Sequence, residues 1–166
     1  MNIEEKENSL MNSLKRKMDS LCHNLSTMQA NLFERSVEKG MPSYFFIKSF
    51  LLSDDARHID ELNLEVSGLS EIEIFSLISA NIKSKRGNLL PYPIMRFLGY
   101  FYRSAAYLYD VTSKFLYENV PVKVVVSSYD YLHSLPIEEA IKDVFEILHI
   151  NLLSKEELFI KLYKQK

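Results

Sequence analysis

Glycine occurs only four times in 166 residues, and tryptophan is absent. No GxGxxG or GxxxxGK(S/T) stretch is present, which excludes the common glycine loops that cradle nucleotide phosphates. A single cysteine, Cys22, rules out an internal disulfide framework and fits a reducing compartment. No run of about 18 or more uncharged apolar residues exists, so a membrane-spanning helix is not expected. The opening MNIEEKENSL is polar and acidic, the reverse of a secretory signal's basic and then apolar order. Cytoplasmic location is therefore expected. The formal net charge of −2 supplies no general attraction to nucleic acid or to acidic membranes.

What is present is ordinary globular material: 47% apolar and 25% charged residues, enough for one domain with its own core. The periodicity is helical throughout. The stretch PIMRFLGYFYRSAAYLYDVTSKFLYE, residues 93–118, predicts a long central helix carrying much of the aromatic mass. Phe97, Tyr100, Phe101, Ser104, Leu108, Val111 and Phe115 follow steps of three and four. Leu98, Tyr102, Ala105, Tyr109 and Leu116 widen the apolar face beyond that of a surface helix. Arg96, Arg103 and Asp110, seven apart, predict a thin charged strip, with Asp110–Lys114 and Lys114–Glu118 as ion pairs four apart. Pro91 and Pro93 mark the start, and Asn119-Val120-Pro121 the end.

Before it, residues from about 4 to 38 predict one long helix. Met11, Leu14, Met18, Leu21, Leu25, Met28 and Leu32 form a heptad stripe that either lies on the same chain or pairs with a copy. Gly40 and Pro42 stop this helix. Ser43 to about Leu52 predicts a short buried helix capped by Ser43, and Ser53 caps the next one. Ser70–Glu73 forms a capping box for a helix ending near Gly87. Pro121–Val126 is rich in valine but fits a helical face with Tyr129 and Leu132. Pro136 opens a helix with Ile137, Ile141, Val144, Phe145 and Leu148 inward, and Ser154–Glu157 caps a terminal helix. The expected fold is all-α. It is a single-domain bundle of about six or seven helices, with an N-terminal arm over about 4–38 and a body over about 43–166.

Candidate chemistry is sparse. Asp54, His58 and Glu61 share a helical face and could ligate a metal, but bundle metal sites draw on several helices and no matching second motif appears. A solvated charged face is the reading preferred. Haem ligation by His58, His133 or His149 rests on helicity and a histidine alone. Cys22 and His23 are neighbours whose side chains diverge by about 100° on a helix, and no GxSxG elbow exists. No catalytic residue, cofactor or metal is therefore expected, and the chain is not read as an enzyme. The basic clusters Lys15-Arg16-Lys17 and Lys83-Ser84-Lys85-Arg86 make nucleic-acid binding a lesser alternative.

The leading expectation is a regulatory or adaptor protein that binds another protein or its own copy through the stripe Met11, Leu14, Met18, Leu21, Leu25, Met28 and Leu32. Its methionines make an adaptable apolar surface. The alternative is a helical sensor for a small apolar ligand, with Phe97, Tyr100, Phe101, Tyr107 and Phe45 lining the pocket.

Overall fold

The computed structural model describes residues 14–63, 73, 75–76, 87–150 and 163–164. Among these no strand is found, and eight helices have both ends described: α1 Ser20–Glu38, α2 Ser43–Leu51, α3 Asp54–Asp60, α4 Tyr92–Tyr109, α5 Ser113–Asn119, α6 Val122–Ser127, α7 Tyr129–Leu132 and α8 Ile137–Ile147. The all-α class is as the periodicity predicts. The valine-rich run is helical, with Pro121 just ahead of its first turn. The Ser70–Glu73 and Ser154–Glu157 boxes lie outside the described residues, apart from Glu73, which is helical.

Two helix boundaries differ from the sequence reading. Among the described residues of the arm, 14–19 are not helical and α1 starts at Ser20, because Asp19 adopts an extended conformation and its carboxylate accepts the Cys22 N–H at 2.8 Å. An N-cap aspartate satisfies a donor that the helix cannot, and so fixes where it starts. Leu14 and Met18 precede the helix, and Met11 lies outside the described residues. The predicted 93–118 helix is two helices. α4 ends at Tyr109, Asp110 turns left-handed at φ 51°, and Thr112 caps α5 by accepting the Phe115 N–H at 3.0 Å.

Scarce glycine has a structural counterpart. α1 ends as predicted at Gly40, φ 69°, with Gly40 N–H on the Val37 carbonyl and Met41 N–H on that of Ser36. This is the Schellman closure. α3, α4 and α8 make the same closure with Leu62, Asp110 and His149 at φ 56°, 51° and 52°. An L side chain in that region costs on the order of 1 kcal/mol, least for Asp or Asn.

α1 and α4 form the main helix pair, and they run antiparallel. Asp19 meets Tyr107, Ser26 meets Ser104, Gln29 meets Gly99 and Glu34 meets Arg96. Gly99 sets the closest approach. A Cβ there would stand 2.6 Å from the Gln29 carbonyl oxygen and 2.8 Å from the Ala30 Cα. The buried face of α1 carries Cys22, Leu25, Gln29, Leu32 and Ser36, flanked by Ser26, Ala30, Phe33 and Val37. The heptad stripe is therefore split. Leu25 and Leu32 belong to the core, whereas Leu14, Leu21 and Met28 stay 40%, 37% and 47% exposed.

From Phe101 to Tyr109, every residue of α4 is buried. α8 covers it on one side, with Tyr109 and Phe145 rings 4.8 Å apart. α6 lies against it too, and the Tyr102 hydroxyl donates to the Val120 carbonyl at 2.6 Å. Under α1, Phe33, Phe46 and Phe50 form an aromatic knot, edge-to-face at 5.3 and 5.6 Å, with Phe75 stacked on Phe46. Burying each such ring contributes roughly 1.5–3 kcal/mol. Ser43 differs from its predicted role. It sits in the first turn of α2 and accepts the Leu90 N–H through its hydroxyl at 2.8 Å, pinning the approach to α4.

Candidate functional site

The strongest polar cluster is buried and joins four helices. Arg103 of α4, read from sequence as part of a solvent-facing strip, is 1% exposed. Its Nε donates to Gln29 Oε1 at 2.9 Å, Nη1 to Asp60 Oδ1 at 2.6 Å and Nη2 to Ser113 Oγ at 3.2 Å. Asp60 also accepts the Ser113 N–H and O–H, each at 2.7 Å. Burial pushes the Arg103 pKa down, and the Asp60 carboxylate opposes that. Each guanidinium nitrogen of Arg103 meets an acceptor, so the cluster fastens α3 and α5 to the α1–α4 pair.

The neighbouring polar groups are spent in the same way. Cys22 is fully buried beside Ser26, and burial pushes its thiol up, away from the reactive thiolate. Asp54 and Glu61 pair with Arg57 at 3.4 Å each, and among the described residues no group of three or more His, Cys, Asp or Glu could hold a metal. Asp110, predicted to pair with Lys114, binds Arg16 at 3.1 Å instead, because the helix breaks between them. Arg16 also donates to the Tyr107 carbonyl and lies 4.9 Å over the Tyr107 ring. Lys15 and Arg16 N–H groups both reach the Leu108 carbonyl. Lys15 and Arg16 thus strap the chain ahead of α1 to the end of α4.

A cleft of 490 Å³ lies along the first half of α4. Pro93, Phe97 and Tyr100 of α4 line it, with Ala30 and Arg96 on the α1 side and Tyr129, His133, Leu135 and Ile137 on the other. Tyr129 and His133 stand four apart and stack, centroids 4.6 Å and planes 14° apart. Phe97 meets the Tyr129 ring edge-to-face at 5.5 Å. The Tyr129 carbonyl can only accept, so its 2.8 Å bond fixes the His133 proton on Nδ1 and leaves Nε2 without a partner among the described residues. Tyr100 is held by His23 Nδ1 at 2.8 Å, and burial keeps its phenol protonated by raising its pKa. The lining contains no carboxylate, thiol or aliphatic hydroxyl.

Of the aromatics predicted to line a pocket, Phe97 and Tyr100 do so. Phe101 is wholly buried, Tyr107 spends its hydroxyl on Asp19 at 2.8 Å, and Phe45 lies half-buried on α2, outside this lining. The Tyr129–His133 wall was not anticipated, although an aromatic and an imidazole four apart on a helix were a usable signal. No helix among the described residues is long and apolar enough to cross a membrane. Comparison with protein-family models, with curated proteins and with solved structures finds no match to this chain.

Proposed function

We propose that this protein works by binding rather than by catalysis, and that it holds a small, apolar, ring-bearing molecule in the cleft along α4. The observation that carries this reading is the aromatic lining of that cleft: Phe97, Tyr100, Tyr129 and the His133 ring around 490 Å³ of open space. Aromatic walls with a few placed polar groups are the usual make-up of small-molecule sites. Of groups that can move protons the lining offers the His133 imidazole and the Tyr100 and Tyr129 phenols, with no carboxylate, thiol or aliphatic hydroxyl beside them to act as nucleophile. Cytoplasmic location belongs to the proposal and is supported by the lone, buried Cys22.

Thermal melting with a neutral ring probe, 2-naphthalenemethanol, tests it. A ligand at a hundred times its Kd stabilises the folded state by about 2.7 kcal/mol, a rise of roughly 5–10 °C for a chain of this size. The rise should vanish in a Phe97→Ser/Tyr129→Ser variant. An unchanged melting temperature at millimolar probe would contradict the reading.

A second reading, the regulatory or adaptor protein, is supported by Leu14, Leu21 and Met28, apolar side chains that the α1–α4 pair leaves exposed. There the partner is another protein or a second copy. A dimer by light scattering that becomes monomeric in Leu21→Glu/Met28→Glu would favour it, and an unchanged solution mass would remove the second copy as partner.

A further inference from the structure

We infer that the cleft takes an aryl carboxylate, with the ring against Phe97 and Tyr129 and the carboxylate on Arg96. The inference rests on the binding reading above and adds the ligand's charge and the residue that reads it.

Arg96 lines the cleft, and both of its hydrogen bonds leave through Nη1, to Asn31 Oδ1 and to Glu34 Oε2 of α1. Nε and Nη2 have no partner among the described residues. Those two N–H groups lie side by side in the guanidinium plane, and they form the fork that accepts a carboxylate through two parallel hydrogen bonds. The pairing with α1 therefore holds the side chain in place while leaving its bidentate edge unspent. Across the cleft, His133 presents a third unspent nitrogen, Nε2.

Charge complementarity points the same way. Arg96 brings a guanidinium to the lining, and no carboxylate lines the cleft to oppose it. Glu34 offsets part of the Arg96 charge at 3.0 Å, but it stands outside the lining. An anion is thus admitted by the walls, and a cation would meet no acid there. The stacked Tyr129–His133 pair and the edge-on Phe97 supply faces for a flat ring rather than a channel for a flexible chain.

Calorimetric titration of the intact chain with 2-naphthoate and with neutral 2-naphthalenemethanol tests the inference. A charged hydrogen-bonded contact separates the two, so naphthoate should bind about tenfold tighter or better. Arg96→Gln should bring the two affinities together, while Glu34→Gln, which removes the competing charge, should widen the gap. Both residues are partly solvent-exposed, and their ion pair is of the kind that contributes little to stability, so the variants should fold. Equal affinities in the parent chain would overturn the carboxylate and leave the cleft reading standing. A gap that persists in Arg96→Gln, or that Glu34→Gln leaves unchanged, would overturn Arg96 as the reader. Failure of both probes to bind would overturn the cleft reading and this inference together.

Discussion

Replacing Arg103 by methionine should be among the most damaging single changes in the chain that leave its apolar packing nearly intact. Methionine follows much of the same path but donates nothing. Asp60 would keep the Ser113 N–H and O–H, at 2.7 Å each, yet lose its counter-charge. The two side chains are 2% and 5% exposed, so water cannot take the guanidinium's place cheaply. Gln29 Oε1 would lose its donor as well. Breaking a buried pair by removing one partner costs about 3–5 kcal/mol, against a total stability of roughly 5–15 kcal/mol. Urea unfolding followed by helical circular dichroism would show a large drop in midpoint with little change in slope. Arg96→Met, which breaks the exposed pair with Glu34, should cost under about 1 kcal/mol. The double change Arg103→Met/Asp60→Leu should cost less than the two singles summed, because the stranded charge is gone. An Arg103→Met midpoint within about 1 kcal/mol of the parent would refute the reasoning.

Further outcomes follow from single contacts. Gly99→Ala should destabilise by roughly 1–3 kcal/mol, because the new methyl meets the backbone of Gln29 and Ala30 at 2.6–2.8 Å and the helices must part. His149→Gly should stabilise by up to about 1 kcal/mol in the same assay, since the exposed residue sits at φ 52°, where a side chain is strained. The Asp19 carboxyl is held below the usual range by the Cys22 N–H and then the Tyr107 hydroxyl. A depressed folded pKa contributes stability above the unfolded value and loses it as pH falls through the folded one. The stability gap between the parent and Asp19→Asn should therefore be full at pH 6 and shrink as pH falls below about 4, read by unfolding at a series of pH values.

The sequence carried helix class and most helix starts because those depend on local signals. Ser53 caps α3 by accepting the Ala56 N–H at 3.1 Å, Gly40 closes α1 and Pro121 precedes α6, each as its residue type dictates. The break at Asp110 escaped for a physical reason. Helix ends are usually read from glycine, and this chain ends α3, α4 and α8 on Leu62, Asp110 and His149 instead. The heptad stripe is split in the folded chain because two registers share Leu25 and Leu32. Only packing against α4 decides that Cys22 and Gln29 turn inward while Leu21 and Met28 do not.

Arg103 and Asp60 were legible as charges but not as a pair. They lie 43 residues apart and meet only when α3 and α5 close on α4. The cleft was partly legible in the same sense. Phe97 and Tyr100 come from one periodic helix, whereas Tyr129, His133, Leu135 and Ile137 reach it from a later segment that no period connects to them.

The most direct test of the cleft as a ligand site is an amide and side-chain NMR titration of the intact chain with 2-naphthalenemethanol. The account predicts saturable shifts at Arg96, Phe97, Tyr100, Tyr129, His133 and Leu135, with Leu14, Leu21 and Met28 unmoved. Absent shifts, or shifts gathered on Leu14, Leu21 and Met28, would contradict it.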